Sequence, residues 1–424
     1  MTRSCPSCGK TYPDAVFFCG EDGTIAIEDQ AGKDADPRLG KQLGGYVVAA
    51  RVADGAMGRV FEGRHPETKA RVAIKVLHAE VARDHVSVER FKREYETALE
   101  LNHRYVVKVL EFGATPDRSH FLTMEYLEGK ELGKLLGQGQ PLPAARIVRV
   151  ISQVALALEH AHSFGFIHRD LKPDNIFLCR TPLGDDVRIL DFGSVKLQVE
   201  MGAKLTAIGT TLGSPFYMSP EQAMGRSDVD QRTDVFALGA ILYEMLTDRV
   251  AFDAPNIAKI LLLIMNENPT PASQVQPSSP PRLDAVVDKA LRKNKTERYA
   301  SARELGSAVI AAYGLSGTIE QWAERPHADI EQALAEAATA AERAPKVAPK
   351  VVEPARPSAT GHGTAPALRG GASSERGEPT LPKMTLEDRH SEVPAISTGP
   401  SVGALALIAI SLVVAGVGLV LLFR

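Results

Sequence analysis

Between Phe166 and Leu178 the chain reads FIHRDLKPDNIFL, which places His168, Arg169, Asp170, Lys172, Asp174 and Asn175 within eight residues. Strand-like apolar pairs flank this run on both sides. Charge runs are usually solvated loops, but such loops are not tied at both ends to residues that seek a core. A constrained site suits this segment better, and few folds can hold one. A helix patterned by Ile147, Ile151, Val154, Leu158 and Ala161 leads into it and ends near Gly165. Beyond it, RILDFGSVKL closes a buried strand with Asp191, Phe192 and Gly193. Asp191 and Asn175 offer hard oxygen ligands of the kind Mg²⁺ takes when it also bridges phosphates.

Two further stretches complement this region. ADGAMGRVFEG, Ala53 to Gly63, lies among apolar positions Val47, Val52, Val60 and Phe61, which suggests two strands joined by a glycine-rich turn. Glycines let backbone amides approach phosphates that a Cβ would exclude. Alone this signal is weak. VAIK, Val72 to Lys75, is a short β-prone run ending in a lysine. Nineteen residues on, Glu94 lies among Val88, Phe91, Tyr95 and Ala98, which recur at helical spacing. A lysine held by such a glutamate can be aimed at anionic phosphates.

In this order and spacing the sites resemble the bacterial, eukaryotic-like (Hanks-type) serine/threonine protein kinases. Ser219-Pro220-Glu221, Asp234 and Arg298 extend the match, which covers Tyr46 to about Leu315. The resemblance implies an α+β, two-lobed protein kinase fold with ATP and Mg (or Mn) between the lobes. Lys75, paired with Glu94, would grip the phosphates, and Ala53, Gly55, Gly58 and Val60 would cover them. Ala73, Met124 as gatekeeper, Glu125 and Leu127 would meet the adenine. Asp170 would accept the substrate proton, Lys172 would meet the transferred phosphoryl group, and Asn175 and Asp191 would hold the metal. Lys172 and the hydroxyl of Ser214 indicate the serine/threonine class, with proteins as substrates.

Arg169, beside the catalytic aspartate, is commonly the partner of a phosphorylated activation loop, and Thr206, Thr210 and Thr211 are the candidate autophosphorylation sites. Their alternative reading is as ordinary polar loop residues. One departure stands out: Ala53 replaces the first glycine of the phosphate loop, a change read as tolerated. A kinase fold serving only as a scaffold usually loses the lysine or a metal-binding residue, and this sequence keeps them all.

The chain ends carry different signals. Cys5, Cys8 and Cys19 cluster in CPSCGKTYPDAVFFCGEDG, with Asp22 where a fourth cysteine would fall, and the segment resembles short zinc-ribbon modules. With no apolar leader before them, these cysteines suit a metal better than a disulfide framework. Three readings stay open: zinc on Cys5, Cys8, Cys19 and Asp22, zinc completed by water or an external ligand, or no metal. Residues 1–45 carry five Lys/Arg against seven Asp/Glu, and the whole chain a formal charge of −3, so no nucleic-acid partner is expected. Cys179 reads as packing in the strand after Asn175.

The expected organisation is a zinc-ribbon-like module (1–30), a connector (31–45), the catalytic domain (46–315) and a marginal helical extension (316–344). A Pro/Ala-rich disordered linker (345–401) and one transmembrane helix (402–423) follow. The linker has nine prolines from Pro345 to Pro400 and no aromatic residue, too little to offset the entropy of ordering. Val402 to Phe423 is uncharged over 22 residues, which at 1.5 Å per residue spans about 33 Å. With only Arg424 beyond it, the expectation is a single-pass anchor in a bacterial cytoplasmic membrane. The kinase would then lie in the cytosol, without an outer sensor, and self-associate in the membrane plane for trans-autophosphorylation.

Overall fold

A computed structural model describes residues 2–29, 36–55, 57–115, 119–192 and 215–343. The candidate phosphosites Thr206, Thr210 and Thr211, together with Ser214, lie outside the described residues, as do the 345–401 linker and the apolar 402–423 stretch. Among the described residues no helix is long and apolar enough to cross a membrane.

The N-terminal segment forms a small antiparallel sheet of β1 (Thr2–Ser4), β2 (Thr11–Pro13) and β3 (Ile27–Glu28), in the order β2-β1-β3. A six-stranded sheet follows: β4 (Gln42–Leu43), β5 (Tyr46–Asp54), β6 (Gly58–Arg64), β7 (Arg71–Leu77), β8 (Val109–Ala114) and β9 (His120–Glu125), ordered β4-β5-β6-β7-β9-β8. The sheet therefore begins inside the stretch read as a connector, because Gln42 and Leu43 pair with Val47 and Tyr46.

Helix α1 (His85–Glu100) crosses this sheet. Asp84 caps it, its carboxylate accepting from the Val86 and Ser87 amides. The period-2 alternation of the strands sorts their side chains. Phe61, Val72, Ile74 and Val76 form one apolar layer with Phe121. On the other face Leu77 and Leu122 pack with Phe91 and Ala98 of α1.

The second lobe is mainly helical. A sheet of β10 (Gly129–Glu131), β11 (Ile176–Thr181) and β12 (Gly184–Ile189) borders it. Its helices are α2 (Ala144–Ser163), α3 (Pro220–Ala223), α4 (Arg232–Thr247), α5 (Ile257–Asn266), α6 (Ala272–Val275), α7 (Arg282–Ala290) and α8 (Ala302–Ala312). Helix α2 is buried along most of its length and lies in the middle of the core, and α4 is buried along almost its full length.

The stretch read as a marginal extension forms two helices, α9 (Ile319–Glu324) and α10 (His327–Arg343). The break falls at Arg325-Pro326, where proline pushes the preceding residue into the extended region. Both helices pack on α2. Ile319, Trp322, Ala323 and Ile330 enter the core. Buried Arg149 locks the seam: its Nε donates to the Asp185 carbonyl, Nη2 to Asp186 Oδ1 at 2.8 Å, and Nη1 to the Arg325 carbonyl. Gln153 adds a bond to the Ala323 carbonyl at 2.8 Å.

The extension is thus a structural part of the helical lobe. Trp322→Ala should lower stability by about 3–5 kcal/mol, read as a lower urea midpoint at unchanged slope. An unchanged midpoint would mean that α9 contributes no packing.

Candidate active site

The register places four of the sequence-predicted nucleotide residues on one surface. Val60 pairs directly with Lys75, and Ala73 with Met124. Paired residues, and residues two apart on a strand, face the same way, so all four share one face of the sheet. Gly58 sits where β6 begins, and a Cβ there would run into the Val76 carbonyl of β7. Ala53 is an exposed β5 residue paired with Val60 and has no positive φ, so its backbone does not demand glycine. That explains why the alanine is accommodated.

Lys75 binds two carboxylates at once. Its Nζ donates to Glu94 Oε1 at 3.0 Å and Oε2 at 3.3 Å, and to Asp191 Oδ1 at 2.7 Å. Burial alone would lower the lysine, but Asp191 and Glu94 more than offset this and hold it above its ordinary value. Burial and the neighbouring Asp191 push Glu94 up despite the lysine. Desolvation would raise Asp191 too, yet the Lys75 ammonium keeps its carboxyl well below the usual range. Lys75 thus favours the charged form of Asp191.

The catalytic loop hangs from α4. Asp234, fully buried, accepts the His168 amide through Oδ2 and the Arg169 amide through Oδ1, both at 2.9 Å, and pairs with His162 Nε2 at 2.7 Å. Burial would raise its carboxyl, but His162 and the loop hold it below its usual value. This anchor maintains Arg169 at φ 65°, a left-handed conformation that costs a non-glycine residue about 1–3 kcal/mol. His168 is fully buried against Phe192, and its Nε2 lies 3.0 Å from the Leu190 carbonyl.

Asp170 is thereby presented at the cleft with Lys172 Nζ 3.0 Å from its Oδ2. Asn175 Nδ2 donates to the Asp170 carbonyl at 2.7 Å, which fixes the amide and leaves its oxygen without a hydrogen-bond partner among the described residues. Asp191 stands at φ 58° just after β12. An oriented amide oxygen and an ionised carboxylate suit a hard divalent cation such as Mg²⁺ or Mn²⁺.

A family model described as protein kinase domain matches residues 46–308. The chain belongs to the protein kinase family. It is 39% identical over 275 residues to the serine/threonine-protein kinase pkn3 of Myxococcus xanthus, covering 63% of this chain and 50% of that protein. It is 40% identical over 278 residues to Pkn1 of the same organism, covering 65% and 39%. The chain thus spans half or less of the length of these curated relatives. A crystal structure of the M. tuberculosis PknI kinase domain superimposes with a TM-score of 0.53 at 27% identity, covering 65% of this chain and 98% of that one.

Within the kinase domain, Glu221 and Arg298 form a buried bidentate pair at 2.7 and 2.8 Å, which ties the segment after the activation loop to the lobe. Gln222 adds a bond from its Nε2 to the Arg169 carbonyl at 2.7 Å. Burial lowers the Arg169 guanidinium, and its Nε has no hydrogen-bond partner among the described residues. Glu125 pairs with Arg188 at 3.3 Å, and Leu127 follows Tyr126 in the interlobe segment. Sequence reasoning missed His162, which had no signal beyond an α2 position, and Gln222. Cys179 is part-buried in β11, where burial pushes its thiol up to about 11.

A second cluster lies outside the kinase domain. One ligand atom each from Cys5, Cys8, Cys19 and Asp22 lies within 4.8 Å of the others. Cys8 Sγ is 3.6 Å from Cys19 Sγ, and Cys5 Sγ is 3.8 Å from Asp22 Oδ2. The Thr24 amide donates to Asp22 at 2.9 Å and holds its carboxyl well below the usual range. The Tyr12 hydroxyl, 3.0 Å from Cys19 Sγ, lowers that thiol and is itself pushed up to about 12.

The two loop glycines differ sterically. A Cβ on Gly55 would meet nothing nearer than the Gly58 carbonyl at 3.4 Å. Gly58→Ala should therefore destabilise the domain by about 1–3 kcal/mol, whereas Gly55→Ala should stay within about 0.5 kcal/mol. Chemical unfolding of both variants checks the contrast, and equal losses would contradict it.

Proposed function

We propose that this protein is an ATP-dependent serine/threonine protein kinase that transfers the γ-phosphoryl group to protein hydroxyls and phosphorylates its own activation loop. The observation that carries this reading is the single lysine, Lys75, bridging Glu94 on α1 and Asp191 beside the catalytic loop. That arrangement joins the two lobes in a catalytically ordered state and leaves Asp170, Lys172 and Asn175 facing the cleft.

The substrate hydroxyl oxygen attacks the γ-phosphorus while its proton passes to Asp170. The bond to the β–γ bridging oxygen breaks, and ADP leaves with that electron pair. Lys172 balances charge on the transferred group, and Lys75 steadies the remaining phosphates. Val60, Ala73, Met124, Glu125 and Leu127 bound the adenine site, and Gly55 and Gly58 shape the phosphate cover. A divalent ion on Asn175 and Asp191 supplies charge neutralisation at the phosphates. Arg169, whose Nε has no hydrogen-bond partner among the described residues, receives a phosphate on Thr206, Thr210 or Thr211.

The N-terminal cluster is read as a zinc ribbon with Cys5, Cys8, Cys19 and Asp22 as ligands. With Zn–S bonds of about 2.3 Å, a tetrahedral site has S–S edges of roughly 3.8 Å, close to the 3.6 Å between Cys8 and Cys19. The uncharged 402–423 stretch is read as a single-pass anchor in a bacterial cytoplasmic membrane. The need for ATP puts the kinase domain on the cytosolic side, where membrane crowding favours phosphorylation between copies.

Phosphosite mass spectrometry on wild type and Asp170→Ala, each incubated with Mg-ATP, tests the catalytic reading. Wild type should gain phosphate at one or more of Thr206, Thr210 and Thr211, and the variant should fall by at least about 100-fold. Equal labelling would refute the assignment of Asp170. Separately, deleting residues 402–424 should move the protein from the membrane pellet to the soluble fraction, and continued pelleting with membranes would refute the anchor.

A further inference from the structure

The ribbon is docked on the kinase domain at a specific place. Glu62 lies two residues along β6 from Val60 and pairs directly with Ala73, so it shares the cleft face with both nucleotide-site residues. It is nonetheless buried, because three arginines close over it. Arg64 donates to it at 2.8 Å, Arg71 at 3.2 Å, and Arg3 of the ribbon at 3.4 Å.

Phe17, from the loop leading to Cys19, lies under the same arginines. The Arg64, Arg3 and Arg71 guanidinium carbons stand 4.1, 4.5 and 5.5 Å from its ring centroid. Arg71 also stacks on Tyr126, at 3.6 Å, and pairs with Glu128 at 2.7 Å. Tyr126 sits between Glu125 and Leu127, in the segment that links the lobes and bounds the adenine site.

Residues of the module and of the connector after it grip the strands that carry the glycine-rich turn. Glu28 accepts the Arg51 amide of β5 at 2.9 Å, and Asp36 pairs with Arg59 of β6 at 2.7 Å. Both strands leading to Gly55 and Gly58 and the interlobe segment are therefore tied to Arg3, Phe17, Glu28 and Asp36.

We infer that the ribbon is a metal-dependent brace of the nucleotide site: metal on Cys5, Cys8, Cys19 and Asp22 fixes the loop bearing Phe17, and Phe17 with Arg3 keeps Arg71 stacked on Tyr126. The inference rests on the zinc-ribbon reading. A ribbon emptied of metal releases Phe17 and Arg3. Arg71, already bonded to Glu62, then loses the Phe17 ring, its stacking on Tyr126 loosens, and the adenine side of the cleft slackens. Ribbon occupancy thereby sets ATP affinity from outside the catalytic residues, and Phe17 and Arg3 are positioning residues.

The test measures bound zinc by atomic emission, the equilibrium Kd for Mg-ATP by calorimetry, and kcat, on detergent-solubilised full chain. Wild type should carry one zinc per chain. Cys8→Ser should lose zinc and bind ATP about three- to tenfold more weakly, the scale of a lost cation–π contact. Phe17→Ala should keep its zinc and show the same weakening with kcat nearly unchanged, while Phe17→Tyr, which retains the ring, should match wild type. Zinc-loaded Phe17→Ala with wild-type ATP affinity would overturn the brace and leave the zinc reading standing. Wild type without zinc would overturn the metal dependence and the zinc reading together, whatever Phe17→Ala shows.

Discussion

A buried carboxylate with no solvent contact organises this kinase domain. Asp234 sits on α4 inside the helical lobe and accepts two consecutive amides of the catalytic loop. An isolated buried charge would be expensive, and His162 together with the loop amides supplies the compensation. Because those amides belong to His168 and Arg169, the strained turn at Arg169 is held open and Asp170 points into the cleft. His168 then packs on Phe192, which carries the order of the loop to Asp191.

From Asp191 the chain of constraint crosses to the other lobe through Lys75. The lysine ties β7 of the sheet to α1 and to the end of β12, so three elements distant in sequence meet at one ammonium group. Within the helical lobe Arg149 plays a comparable part, joining α2, the β11–β12 hairpin and the α9–α10 extension. In each case one polar group with several partners sets geometry that apolar packing alone would leave loose.

Much of the candidate site was legible in the sequence because its chemistry is local. The run from His168 to Asn175 carries its own charge pattern, and Lys75 and Asp191 each end a β-prone run. Glu94 could be assigned to an amphipathic helix by its apolar neighbours. Ala53 raised a question that register answered, since a paired, extended β5 residue has no need of glycine. His162 escaped notice because its role depends on a residue 72 positions away. The extension was under-read for a related reason. Its Ala- and Glu-rich helices look marginal alone, but the few large apolar residues, Trp322 and Ile330 among them, are the ones that meet α2.

The sequence by itself determined the kinds of groups present and their order: the acids, lysines and amide of the cleft, the glycine-bearing turn, and the spacing of Cys5, Cys8, Cys19 and Asp22. Local spacing sufficed there, because strand and helix periods decide which neighbours share a face. Tertiary structure alone decided that the cysteine module lies beside the candidate nucleotide site, with Phe17 and Arg3 closing over Glu62. That placement comes from a buried carboxylate gathering arginines from β6, β7 and β1. Attraction between charges brought together only by folding leaves no periodic trace along a chain.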